Sequence, residues 1–210
     1  VCARAVLAAC RAKPPTGHSA VSHPCCYWMT GYSGAGKTTL ARAMQAHWNA
    51  DGTVRLVVLD GDVVRKGLCS DLGFSLNDRF ENSRRLASMA RLLLDEGLSV
   101  VVSAISPYSA ARAAARAQFA RGTFVEVHVA TPLSACMARD AKGLYQQAKN
   151  GKLPRLTGIG STYEEPFNPE VRVNGEGDLM EQVEQIAKAS GFVIAMQDSH
   201  VTLSAHRGLT

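Results

Sequence analysis

The sequence predicts an α/β fold in which a parallel β-sheet carries helices on both faces. Three observations point to it. Apolar runs at residues 25–30 and 56–59, a β-branched run at 98–103 and a further strand at 124–129 alternate with stretches of helical periodicity, and such alternation joins by right-handed crossovers into a sheet buried on both sides. The glycine-rich octapeptide Gly31-Tyr32-Ser33-Gly34-Ala35-Gly36-Lys37-Thr38 lies between the first run and the first helical stretch. Residues 141–171 then turn to Gly, Pro, Lys and polar side chains without a period, a length that marks a mobile lid or binding segment inside a compact domain.

Each element has its own signal. The run 25–30 is bounded by Pro24 and Gly31, as for a fully buried strand. Helical spacing over 38–48 aligns Leu40, Met44 and Trp48, and Asn49-Ala50-Asp51-Gly52 stops it. A longer helix over 78–96 places Leu86, Met89, Ala90 and Leu93 on one face and ends at Gly97. Alanine content predicts helix over 109–121. A short helix over 133–139, a last helix over 178–190 and a strand over 192–196 complete the order. In such sheets ligands bind at the carboxyl ends of the strands.

A chain of 210 residues supports one well-buried core. The expected division is an N-terminal extension over 1–24 without an assigned role, a catalytic domain over 25–196 and a polar tail over 197–210. The formal charge of +5 comes from scattered basic residues, and 6% aromatic content offers no stacking platform, so nucleic acid is not the expected partner. Residues 5–10 are too short for the apolar core of a signal peptide, and no membrane-spanning run follows. The six cysteines show no C-x-x-C spacing and read as small apolar residues of a reducing compartment, hence a cytoplasmic expectation.

The octapeptide fits G-x-x-x-x-G-K-[ST] in the strand-to-helix context that gives the motif meaning. Its main-chain N–H groups and the helix N-terminus cradle phosphate. Lys37 reaches the β- and γ-phosphates of ATP, and the Thr38 hydroxyl ligates Mg²⁺. This is the P-loop NTPase fold. At the next strand end stand Asp60 and Asp62; one acid there orients the Mg²⁺ shell while the other accepts a proton from an attacking hydroxyl. The competing reading makes both acids helix N-caps. No N-K-x-D pattern occurs, which disfavours a GTPase.

Linked motifs then narrow the class. Asp60-Gly61-Asp62-Val63-Val64-Arg65-Lys66-Gly67-Leu68, Asp71-Leu72-Gly73-Phe74-Ser75, Asp78-Arg79-Phe80-Glu81-Asn82-Ser83-Arg84-Arg85, Ile105-Ser106-Pro107-Tyr108, Arg139-Asp140-Ala141-Lys142-Gly143-Leu144-Tyr145 and Leu156-Thr157-Gly158-Ile159 with Tyr163-Glu164 resemble the adenylyl-sulfate (APS) kinase family in order and spacing. The resemblance implies phosphorylation of the 3′-hydroxyl of adenosine 5′-phosphosulfate by ATP. It implies Asp62 as catalytic acid/base beside that hydroxyl, with Lys37 and Ser106 in the catalytic set and Asp60 beside Thr38 at the metal. Arg65 and Arg79 hold the phosphosulfate, a task suited to a permanently charged planar fork. Asn82, Ile105 and Ser106 contact the acceptor, Phe74 lies against adenine, and Lys142 and Leu156 belong to the lid. Thr39 and Arg139 join the P-loop residues at ATP.

Some positions depart from the family pattern: Val63 for Asn, Ala104 for Phe, Ser109 and Ala111 for Arg and Asp, Leu156 for the lid Phe, and Gly160 for an acid. They fall on the acceptor side. A kinase of another 5′-modified nucleotide and a non-catalytic nucleotide-binding relative therefore stay open beside the APS reading. A homodimer, and fusion to or association with an ATP sulfurylase, stay open as well.

Overall fold

The computed structural model describes residues 23–50 and 54–190. Its centre is a five-stranded, wholly parallel sheet of order β2-β3-β1-β4-β5, formed by β1 (Cys26–Thr30), β2 (Leu56–Asp60), β3 (Ser99–Ser103), β4 (Phe124–Val129) and β5 (Val171–Val173). Both faces are covered, as expected. Alternation along β1 shows why: Tyr27 and Met29 enter one core cluster with Leu40, Met44, Trp48, Val183 and Ile186, whereas Cys26 and Trp28 enter the other with Leu86, Ala90, Val100, Val102 and Phe124. A strand buried on both faces reads as a near-continuous apolar run, as β1 does up to Thr30.

Seven helices are present among the described residues. Helix α1 (Lys37–Ala50) buries Leu40, Ala41, Met44 and Trp48, a stripe at spacings of three and four. Trp48 meets Tyr27 edge-on at 5.1 Å, a core role that accounts for its lack of any motif. Helix α2 (Gly61–Val64) is a single turn after β2. Helix α3 (Leu76–Asp95) starts at a capping box in which Ser75 and Asp78 bond each other's backbone N–H groups. Helices α4 (Ser109–Arg116), α5 (Leu133–Arg139), α6 (Leu144–Lys149) and α7 (Leu179–Ala189) follow.

Two sequence expectations are corrected. Alanine content carries the predicted fourth helix to 121, but α4 ends at Arg116; Phe119 instead turns inward to lie 5.3 Å from Phe124 in the core, and tertiary packing overrides propensity. Within the aperiodic stretch 141–171 the chain forms α6 and begins β5, whose three residues alternate buried, exposed, buried. Three residues are too few for periodicity to register. The strand expected at 192–196, the N-terminal extension to residue 22 and the tail 197–210 lie outside the described residues.

Candidate functional site

The phosphate loop is shaped from several sides. Gly31 has φ of +146°, and a Cβ there would lie 2.6 Å from the Val129 carbonyl oxygen, so β4 excludes any side chain. Thr131 Oγ1 donates to the Ala35 carbonyl at 2.7 Å. Gly175, after β5, presses so closely that a Cβ would stand 2.4 Å from the Ala35 oxygen. Gly175→Ala should therefore displace the loop, lowering stability by about 1–3 kcal/mol and weakening ATP binding. Thermal unfolding and nucleotide titration check both, and an unchanged ATP affinity would remove the bracing role.

Lys37 folds back over this loop. Its Nζ donates to the carbonyls of Gly31 (2.8 Å) and Tyr32 (2.6 Å), and the side chain is buried. Burial pushes its ammonium down to about 8, with Lys142 adding repulsion and Cys136, Asp62 and Asp60 opposing. Two consequences follow from the sign. The folded group holds its proton less tightly than an unfolded lysine near 10.5, so its cost to folding is complete below about 8 and fades toward 10.5. A bound triphosphate favours the cation, so ATP binding at pH 8 should take up about half a proton, and affinity should fall as pH rises through 8. Calorimetry in buffers of unlike ionisation enthalpy measures that uptake; zero uptake would mean that nucleotide binding leaves the charge on Lys37 unchanged.

Beside Lys37, Thr38 Oγ1 donates to Asp60 Oδ2 at 2.8 Å and lies 3.3 Å from Ser103 Oγ. Asp60 is also the N-cap of α2, its Oδ1 accepting from the N–H groups of Asp62 (2.9 Å) and Val63 (3.4 Å). The cap of α2 and the bond to Thr38 thus share one carboxylate. Asp62 caps nothing; its side chain is 65% exposed at the cavity mouth and pairs with Lys142 from the loop before α6.

A cavity of about 750 Å³ opens between these groups and the lid segment. It gathers Ser33, Gly34, Gly36, Lys37, Thr38, Thr39 and Arg139 with Asp60, Asp62, Arg65, Phe74, Arg79, Asn82, Ile105, Ser106, Lys142 and Leu156. Gly31, Tyr32 and Ala35 do not line it; the first two supply the carbonyls that hold Lys37, and Ala35 is buried in the core. On the wall opposite the phosphate loop the Arg65 guanidinium stacks 4.5 Å over the half-exposed Phe74 ring. Buried Arg79 donates from Nε to the Phe74 carbonyl (3.3 Å) and from Nη2 to the Arg155 carbonyl (2.8 Å), joining the start of α3 to the lid. Burial lowers the pKa of both arginines, so an anion between them is the natural complement. Asn82 is buried and its Oδ1 has no hydrogen-bond partner in the protein, which leaves an acceptor for a ligand.

The lid is tied at both ends. Tyr145 OH donates to the Ser33 carbonyl at 2.9 Å, and Tyr163 OH lies 3.0 Å from Thr30 Oγ1. Glu164 adds a clamp, its N–H donating to the Pro107 carbonyl and its carboxylate accepting from Ser109 N–H (2.8 Å) and Oγ (2.6 Å). Ser109, a departure from the family pattern, thereby has a defined task.

Sequence reading missed Ser103, Lys152 and Arg155 in the cavity wall and Gly175 beneath the loop. Ser103 ends a predicted strand at the carboxyl edge where ligands bind, and Lys152 and Arg155 are cations within the stretch read as a lid. Those signals were available. Gly175 had none, because its close approach depends on β5. His128 is structural: burial pushes its pKa down to about 4, and neutral Nδ1 accepts from Arg172 at 2.9 Å.

With this geometry in place, comparison with known proteins is specific. The adenylylsulphate kinase family profile matches residues 23–174. The chain belongs to the adenylylsulphate kinase family. Like its members it is an ATP-dependent kinase. It is 51% identical over 160 residues to an adenylyl-sulfate kinase of Shewanella amazonensis, covering 76% of this chain and 80% of that one. It is 53% identical over 146 residues to the adenylyl-sulfate kinase of Burkholderia ambifaria, covering 70% and 80%. Among solved structures it resembles the Mycobacterium tuberculosis APS kinase CysC in complex with AMPPNP and APS, with a TM-score of 0.76 and 42% identity over 80% of this chain and 97% of that one. Among the described residues no helix is long and apolar enough to cross a membrane.

Proposed function

We propose that the protein transfers the γ-phosphoryl group of ATP to the 3′-hydroxyl of adenosine 5′-phosphosulfate, giving ADP and 3′-phosphoadenosine 5′-phosphosulfate. One observation carries the reading: the phosphate cradle of Lys37 and Thr38, the carboxylate of Asp62 and the acceptor-side group Arg65, Phe74, Arg79 and Asn82 all face one cavity. The relatives' names and the ligands of the mycobacterial structure support the same acceptor.

The residues divide the work. The loop's N–H groups and Lys37 bind the triphosphate, while Arg65 and Arg79 hold the phosphosulfate at the opposite end. The 3′-hydroxyl lies between, next to Asp62, whose carboxylate takes its proton as the new O–P bond forms. The bond from the γ-phosphorus to the bridging oxygen breaks, and its electrons stay with ADP. Thr38, Asp60 and Ser103 offer only oxygen donors, a set that fits Mg²⁺, which takes one or two protein oxygens plus phosphate and water. Bound there, Mg²⁺ would neutralise charge on the phosphate oxygens. Residues 141–162 cover the site against water.

The test is ADP formation with purified protein, ATP, Mg²⁺ and APS, with identification of the 3′-phosphorylated product. A panel of other 5′-modified adenine nucleotides accompanies it. APS should be the best acceptor, and a better rate with another nucleotide would reassign the substrate. An ATP sulfurylase, fused or separate, would supply this acceptor, and light scattering would establish whether the enzyme is a homodimer.

A further inference from the structure

Ser106 is buried and carries φ of +44°, left-handed backbone that a residue with a side chain rarely adopts. Such a conformation persists only where neighbours hold it, at about 1–3 kcal/mol. Three contacts do so here. Trp28 Nε1 donates to Ser106 Oγ at 3.0 Å, and the Ser106 carbonyl shares the Thr30 Oγ1 proton (3.1 Å) with the Ile105 carbonyl (2.9 Å) and accepts from Arg112 Nη1 at 2.8 Å.

The third contact is the most elaborate. Arg112 is 3% exposed on α4, and its Nε donates to Glu126 Oε1 at 2.6 Å from the middle of β4. Glu126 Oε2 is 3.3 Å from Arg116 Nη2, and Arg116 forks onto Glu170 at 2.6 and 2.8 Å. Glu170 in turn accepts from the Glu126 backbone N–H at 2.7 Å. A desolvated ion pair is weak evidence for stability in itself, since apolar side chains of equal volume do as well. Arg112 does not line the cavity, yet this fork spans a sheet carboxylate and the carbonyl of Ser106, which does line it.

We propose that Arg112, anchored by Glu126, is a positioning residue that holds Ser106 in its left-handed conformation and so aims the Ser106 hydroxyl at the acceptor. The Trp28 indole N–H occupies one lone pair of Ser106 Oγ, which leaves the O–H as a donor whose direction the backbone sets. Lysine can meet Glu126 with one ammonium but cannot brace the carbonyl through a second nitrogen of a rigid fork. The kinetic part of the argument rests on the acceptor reading above; the conformational part does not.

The test compares Arg112→Lys, Ser106→Ala and the double variant, reading the indole N–H resonance of Trp28, APS and ATP kinetics, and thermal unfolding. Trp28→Phe assigns the resonance, one of two indoles in the chain. In Arg112→Lys the resonance should move toward its position in Ser106→Ala, while the melting temperature stays close to that of the parent because Glu126 keeps a cation. The KM for APS should rise about tenfold with the KM for ATP unchanged, and the Lys substitution should add nothing further in the Ser106→Ala background. An unmoved Trp28 resonance overturns the proposal whether or not APS is a substrate, and so does an additive loss in the double variant. A protein that lacks APS turnover but shows the resonance shift refutes the acceptor reading alone and upholds the conformational coupling.

Discussion

Asp62→Asn should lower kcat about 10²- to 10⁴-fold, the range for loss of a general base in the transition state, with the KM for ATP nearly unchanged. The substitution keeps size and hydrogen-bonding capacity and removes the charge that takes the acceptor's proton. It also frees Lys142, now paired with Asp62 across the mouth of the cavity. Lys142→Met separates the two effects: it should raise the KM for APS while leaving kcat within about tenfold. Steady-state rates at saturating ATP decide the matter. A loss below tenfold in Asp62→Asn would mean that the hydroxyl is oriented without deprotonation by this carboxylate.

Lys37→Met should cost at least about 10³-fold in kcat/KM for ATP, because a cation in a dry site stabilises phosphoryl charge far more than one in water. Activity and stability should part company in this variant. At pH 7 the buried ammonium opposes folding, as its lowered pKa implies, and methionine removes that term. It also removes two bonds to the Gly31 and Tyr32 carbonyls. The melting temperature should therefore change little while turnover collapses. A large fall in stability would instead identify Lys37 as a structural tie within the loop.

The legible parts of the molecule are those whose signal is local. Strand β4 and helix α5 have the predicted bounds, because the alternating valines of the one and the Pro132 start of the other are signals set by their own residues. The phosphate loop was legible for the same reason: Gly31 and Gly36 adopt positive φ that only glycine accommodates easily. Position alone made the acids Asp60 and Asp62 legible as a pair and the family motif separated them; the fold adds that Asp60 caps α2 while Asp62 pairs with Lys142. Ser106 was found through a family motif, yet its strained backbone and its hold by Arg112 are tertiary facts. Arg112 sits in an alanine-rich helix where it reads as an ordinary solvated arginine. Strand β5 and Gly175 went unseen because their meaning comes from what they pack against, which no window of sequence contains.

The two tyrosines that tie the lid land almost together. Tyr145 and Tyr163 are eighteen positions apart along the chain, yet they are moored to Ser33 and Thr30 on one bend of backbone. A ribbon pinned at neighbouring points pays little for added length, about 0.6 kcal/mol per doubling. Evolution can therefore rewrite residues 146–162, lengthening or exchanging them, without disturbing the sheet or the nucleotide cradle. In this architecture the cover of the cavity is a replaceable part, whereas Arg65, Phe74, Arg79 and Asn82 stay on the scaffold beneath it.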